Sequence, residues 1–361
     1  MATLSYSDNR SPLKKAPSAL VGNRIPSWAV PASAAIAVGL ALAAKFGIGW
    51  EGWGTAFFTA AALFIIVLTA WSFSVEGKRR AKDRFASTLI YASFVAALVP
   101  LTLILGFIVV KGAGALDWNF LTHSMNGVST RVGGGGVYAA ILGTLLQVGL
   151  ASLIALPVGI LTAIYLVEYG KGRFAKAVTF FVDVMTGVPS IVAGLFVFTF
   201  LLLGFGLRPF GAAGSIALAI LMLPVAVRSS EEMLKLVPRE LRESSYALGV
   251  PKWRTILKVV LPTALSGLIT SALLAIARVA GETAPLILLV GYAPRINADL
   301  FGDDQATLPM MIWDQLGKRG GSVTQFTIER AWGAALVLVL IILILNIVAR
   351  LIAKLTQPKS R

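Results

Sequence analysis

The chain has 361 residues, of which 57% are hydrophobic and only 14% charged, and its mean hydropathy is +0.81. A soluble domain carries roughly a quarter charged residues, so the composition excludes a water-soluble globule and points to an integral membrane protein. The formal charge of +15 and the absence of cysteine fit that class: cytoplasmic loops collect Lys and Arg, so no nucleic-acid partner is expected, and neither a disulfide framework nor a thiolate metal site is available.

Long apolar runs without strand-like alternation predict an all-α, polytopic fold of about eight transmembrane helices. Residues 1–25 form a polar, basic tail, followed by apolar runs at 25–46 and 53–75 and a dense basic loop, GKRRAKDR, at 77–84. A third span covers 85–110. The polar loop 111–136 contains the lone histidine, His123, read as solvated, and ends in four glycines read as a flexible entry into the next helix. A fourth span at 137–167, a charged loop at 168–176, and spans at 177–204 and 210–227 follow. A polar stretch begins at Arg228. The seventh span occupies 259–291, a polar segment 292–330, and the eighth span 331–352. Eight crossings place both ends on one side, and 23 of the 32 lysines and arginines fall on that side against 8 opposite. That asymmetry predicts cytoplasmic termini. The seventh segment would reach about 50 Å against a hydrocarbon core of about 30 Å. It therefore starts below the bilayer, bends at Pro285, or both.

The stretch Arg228 to Pro262 is too charged for the bilayer yet closely flanked by apolar runs, which makes it a water-exposed elbow. Pro238 suits a first helical turn, and a helix continues over 239–248. Leu241, Ser245 and Leu248 share one face, with Arg239, Arg242 and Glu243 turned more to water. Gly249 supplies a left-handed stop and Pro251 prevents continuation. Such an elbow is built to be gripped by another protein.

No Walker A pattern, HExxH, GxSxG or paired metal-ligand spacing is present in the sequence, so catalysis by this chain is not expected. The second signal is Arg278 with Glu282 in LLAIARVAGETAPL. A central Arg in a span costs about 2.5–3.5 kcal/mol on insertion scales and marks function by default. Spacing of four puts the two residues on one helical face, so the pair either fixes helix orientation, lines a substrate pathway, or does both. An Arg fork suits an oxyanion, and a carboxylate can accept the titratable O–H of phosphate, which sulfate lacks. Asp183 and Gln147 are weaker pathway candidates, Asp183 standing equally well at the cytoplasmic edge. Pro189 and Gly194 are read as shaping helix packing.

Glu243, Gly249, Val259, Leu261 and Pro262 fall at the spacing of the EAA motif, with Ser244 and Ser245 in place of its two alanines. Together with YLVEYG (165–170), VPSIVAGLFVF (188–198), RSSEEMLKLVPRELRESSYALGVPKW (228–253) and LLAIARVAGETAPL (273–286), this resembles the PstA permeases of bacterial phosphate ABC importers over residues 84–355. The resemblance implies a six-helix permease core with a coupling loop at 228–258 that docks on a partner ATPase. Arg239, Glu240, Arg242, Glu243, Ser244, Ser245, Ala247, Leu248, Gly249, Val250 and Pro251 would make that contact. It further implies a homologous permease partner (PstC), an ATPase dimer (PstB) that alone binds ATP and Mg, an extracytoplasmic phosphate-binding protein (PstS), and a bacterial cytoplasmic-membrane location. The domain expectation is 1–76, a tail with two extra helices that the six-span core lacks, and 77–361, the permease domain. Rival readings are an ABC permease for molybdate or sulfate, an ion-gradient-driven transporter, and a membrane scaffold or sensor.

Overall fold

A computed structural model describes residues 24–49, 52–317 and 323–356. The basic residues expected at 10, 14 and 15, and those at 318, 319, 359 and 361, lie outside them. All regular structure among the described residues is helical. Among the described residues, seven helices are long and apolar enough to cross a membrane, or eight with the bent pair at the expected fifth span taken as one crossing. Contacts divide the chain into two units, 1–104 and 105–361. The division falls inside a helix rather than at the expected 76/77 boundary.

In the first unit, α1 (Ala29–Ile48) and α2 (Trp53–Glu76) form a hairpin. Ala29, Ser33, Ala37 and Ala41 recur every fourth residue and are all buried, the small-residue stripe that lets membrane helices approach closely. The Trp28 and Trp71 rings meet edge-on at 5.4 Å. At the end of α2, the Glu76 carboxylate accepts from the Ile25 N–H (3.0 Å), the Ser72 hydroxyl (2.7 Å) and the Arg84 guanidinium (2.9 and 3.0 Å). The GKRRAKDR stretch, expected as a loop, is instead almost wholly helical: α3 runs Lys78–Ala113 and begins on its second residue. Lys and Arg are good helix formers, so the basic character of the stretch does not end the helix.

In the second unit, α5 (Tyr138–Ile164), α8 (Gly211–Lys235) and α11 (Leu261–Ala280) make the central packing. Between α3 and α5 stands a one-turn helix, α4 (Trp118–Thr122). The α8 helix is the most buried, rich in Ala and Gly on the side that meets α5. α5 continues through a π-helical turn, Tyr165–Tyr169. The expected fifth span is broken: α6 (Arg173–Thr186) meets α7 (Ser190–Val197), which ends in a second π turn (Phe198–Leu203), at 105° across a break holding Gly187 and Pro189. Pro cannot donate and disfavours helix at the preceding residue, which places the break there.

Further along, α9 (Arg239–Ala247) and α10 (Lys252–Thr255) form the elbow, and a third π turn, Ile256–Val260, joins α10 to α11. The overlong seventh segment is an extension of the elbow and is broken just before Pro285. The rod starts in the elbow at Lys252, runs to Ala280, and gives way to a short α12 (Ala284–Leu289) that opens with Pro285. α13 (Leu308–Leu316) packs between α5 and α14 (Gln325–Thr356), its first N–H capped by the Thr144 hydroxyl at 2.9 Å. The glycine run at 133–136 is held rather than loose. Arg330 of α14 donates to the carbonyls of Ser129, Val132 and Gly134, and Val137 N–H bonds the Phe120 carbonyl at 2.7 Å. His123 is exposed, with Nδ1 at 3.0 Å from the Asn119 carbonyl.

Gly194 is a packing residue, as expected: a Cβ there would stand 2.7 Å from Cα of Pro285. That contact seats α12 against α7 and so fixes the helix break carrying Glu282. Gly194→Val is expected to cost about 1–3 kcal/mol through overpacking and to lower the melting temperature of the detergent-purified protein. An unchanged melting temperature would contradict this close crossing.

Candidate functional site: the elbow and the charged helix break

The elbow is closed by three local devices. Pro238 stands at the N-cap of α9 rather than inside it. At the other end, Gly249 takes φ +76°, with Gly249 N–H on the Tyr246 carbonyl (2.9 Å) and Val250 N–H on the Ser245 carbonyl (3.2 Å), the paired bonds of a Schellman stop. Pro251 then caps α10. Across the angle, the buried hydroxyls of Ser245 and Thr255 bond at 2.8 Å and pin α9 to α10.

One side chain ties the elbow to the core. Arg242 donates twice to Oε1 of Glu168, at 2.8 and 3.0 Å, and also to the carbonyls of Val237 (2.6 Å) and Leu234 (3.1 Å) at the end of α8. The side chains are 14% and 5% exposed, so the expectation that Arg242 faces water is corrected. A guanidinium that finds a carboxylate and free helix-end carbonyls behind it is better paired there than hydrated. Lys252 donates to the Glu168 backbone carbonyl and stands 4.7 Å from the Tyr169 ring centroid. The face shared by Leu241, Ser245 and Leu248 is only partly covered. Ser245 is buried, but Leu241 and Leu248 are exposed, Leu248 by 83%. Arg239, Glu240, Glu243, Ser244, Ala247, Gly249 and Pro251 are likewise exposed and Val250 half-buried. Tyr246, Trp253 and Leu236 add to an outward apolar surface. Apolar side chains exposed together on a polar loop mark a surface built for a partner.

A second set of charges lies where α8 leaves the apolar core. Arg228 bonds both Asp183 of α6 and Glu231 (2.7 Å), and Lys235 bonds Glu231 at 2.8 Å. Asp183 thus belongs to the ion-pair chain at the elbow end of α8, not with Arg278.

Arg278 and Glu282 form an ion pair across the end of α11. The helix stops at Ala280, and Glu282 N–H bonds the Val279 carbonyl at 3.1 Å. The Glu282 side chain is 11% exposed, whereas that of Arg278 is 59% exposed. Leu274, one turn earlier, is exposed with it, while Leu268, Ala275 and Val279 are buried against the core. Arg278 therefore lies on the face of α11 that nothing in this unit covers. Gln147 is not brought to that face. It is fully buried, donates to Oε1 of Gln305 at 2.8 Å, and lines a small pocket with Thr307, Val279 and Ala280. Within the described residues neither Gln147 Oε1 nor Thr307 Oγ1 has a hydrogen-bond partner. No group of three or more His, Asp or Glu side chains that could hold a metal occurs among the described residues.

Sequence reasoning missed Glu168 and Gln305. Glu168 was legible only as a lone carboxylate in the apolar YLVEYG run, and its partner lies 74 residues on.

The fold thus combines an apolar helical core, an exposed elbow and a charged helix break. The model of the family described as "Binding-protein-dependent transport system inner membrane component" matches residues 155–361. The phosphate transport system permease protein PstA 1 of Mycobacterium tuberculosis is 48% identical over 79% of this chain and 91% of its own length. PstA of Yersinia pestis is 41% identical over 76% and 90%. Among solved structures, the inward-facing MetNI methionine ABC transporter aligns with a TM-score of 0.47 and 22% identity, over 62% of this chain and 95% of that one. The chain belongs to the binding-protein-dependent transport permeases, in their PstA family, and is a multi-pass membrane protein.

Removing one member of a buried ion pair costs about 3–5 kcal/mol, because the other is left unpaired. Glu168→Ala and Arg242→Ala are each expected to loosen the elbow, read as faster proteolysis within it, with the double variant well short of additive. Additive effects would mean that the two side chains act independently.

Proposed function

We propose that the chain is the permease subunit of an ATP-driven phosphate importer, supplying half of the translocation pathway. The observation that carries this reading is Arg278 on the uncovered face of α11, held by Glu282 at a helix break. A guanidinium at membrane depth does not face lipid chains without a cost of several kcal/mol. That face is therefore completed by a second, homologous permease across a polar route. Arg278 offers forked donors to a phosphate oxyanion, and Glu282 accepts a phosphate O–H. The naming of the PstA relatives as phosphate transport permeases supports the substrate.

The chain hydrolyses nothing itself. ATP and Mg belong to a partner ATPase dimer that grips the exposed elbow at Arg239, Glu240, Glu243 and Leu248, and phosphate arrives from an extracytoplasmic binding protein. The lysine and arginine excess supports a bacterial cytoplasmic membrane with both termini and the elbow inside.

Arg278→Ala is expected to abolish phosphate uptake by the assembled transporter while leaving co-purification of its subunits intact; normal uptake would remove Arg278 from the route. An excess of sulfate or molybdate is expected to leave uptake unchanged, and competition by either would reassign the substrate to another oxyanion. A side chain at Gly249 meets no neighbour, but φ +76° penalises it, most of all when β-branched. Gly249→Val is accordingly expected to separate ATP hydrolysis from uptake or release the ATPase. Unchanged co-purification together with unchanged coupled ATPase activity would remove the elbow from the coupling path.

A further inference from the structure

The first unit carries a groove that phosphate transport leaves unused. A cavity of about 1110 Å³ opens between the α1–α2 hairpin and the first half of α3. Its walls are apolar, with Val38 from α1, Phe57, Phe58 and Leu68 from α2, and Tyr91 and Val95 from α3. Among these, Phe58 and Tyr91 are 68% and 72% exposed. Along α3 the lining runs from Arg80 to Ala96, about 24 Å at 1.5 Å per residue. That is more than half of a hydrocarbon core of roughly 30 Å.

Charge is confined to one end. There the lining consists of Arg24, Arg80 and Arg84 with Glu76 and Asp83, and the hydroxyls of Ser87 and Thr88 follow one turn deeper. Glu76 holds Arg84 in place by two bonds and anchors the backbone at Ile25, so the mouth is a fixed structure rather than a set of free side chains. Lys78, Arg79 and Lys82 lie on the same helical turns. The groove is thus apolar over the length of acyl chains and cationic at one rim. Basic pockets between membrane helices at the cytoplasmic side take phospholipid head groups. A free anion gains nothing from the apolar walls, whereas a phospholipid engages the walls and the rim together.

The geometry points to a binding site for an anionic phospholipid, its phosphate at Arg24 and Arg80 and its acyl chains against Phe57, Phe58 and Tyr91. None of its lining residues belongs to the unit that carries Arg278.

The test uses the full transporter, purified in mild detergent and titrated with phosphatidylglycerol and, separately, phosphatidylcholine, with bound lipid read by native mass spectrometry. Wild type is expected to retain phosphatidylglycerol in preference to phosphatidylcholine, and millimolar inorganic phosphate is expected not to displace it. The double variant Arg24→Gln/Arg80→Gln should lose that preference by about tenfold. Ala61→Trp, which fills the groove from α2 without touching the rim, should reduce retention of both lipids. Equal retention of the two lipids by wild type, displacement by inorganic phosphate, or variants indistinguishable from wild type would overturn the site. A helix of the partner permease seen in the groove in a bilayer-embedded complex would also do so.

Discussion

The ion pair between Glu168 and Arg242 joins parts of the chain that local structure would leave separate. Glu168 ends α5 in a π turn, Arg242 sits in the middle of α9, and the guanidinium also closes the carbonyl end of α8. One side chain therefore satisfies a buried carboxylate and the free end of the helix that packs most closely against α5. With Ser245 bonded to Thr255 behind it, the elbow is not a loop hung between two spans. It is a wedge clamped to the ends of α5, α8 and the rod formed by α10 and α11. Leu248 and its neighbours stay exposed on its outer surface while its inner surface is held by these bonds.

The same logic separates the two charged regions. Asp183, Arg228, Glu231 and Lys235 neutralise one another in a chain of alternating sign around the buried Glu231. Arg278 has a single carboxylate partner among the described residues and is still more than half exposed. Arg278 is paired but not enclosed, unlike Arg242, which is both paired and enclosed. Burial, rather than the presence of a partner, distinguishes the two arginines.

Local chemistry was legible in the sequence, and long-range pairing was not. Pro238, Gly249 and Pro251 placed the elbow helix and its stop within a residue or so, because caps and left-handed stops are dictated by the residues themselves. Pro285 marked the break after α11 for the same reason. Local polarity turns Arg242 of α9 to water, because it takes no account of Glu168, which sits 74 residues earlier. GKRRAKDR reads as a loop on charge alone, although only Gly77 in it stands outside a helix. The glycine run looked flexible because the arginine holding it lies on α14. Gln147 drew notice as a polar residue in an apolar span, but only the fold pairs it with Gln305 in the interior.

The rod from Lys252 to Ala280 has one further consequence. Its lower end is fastened to the wedge, its upper end bears Arg278, and a continuous helical backbone runs between them, about 39 Å at 1.5 Å per residue. Such a strut transmits tilt and axial rotation along its length, so a displacement of the elbow arrives at the guanidinium as a change of heading. The π turn at Ile256–Val260 is where the bonding pattern of the strut widens, which makes it the natural fulcrum.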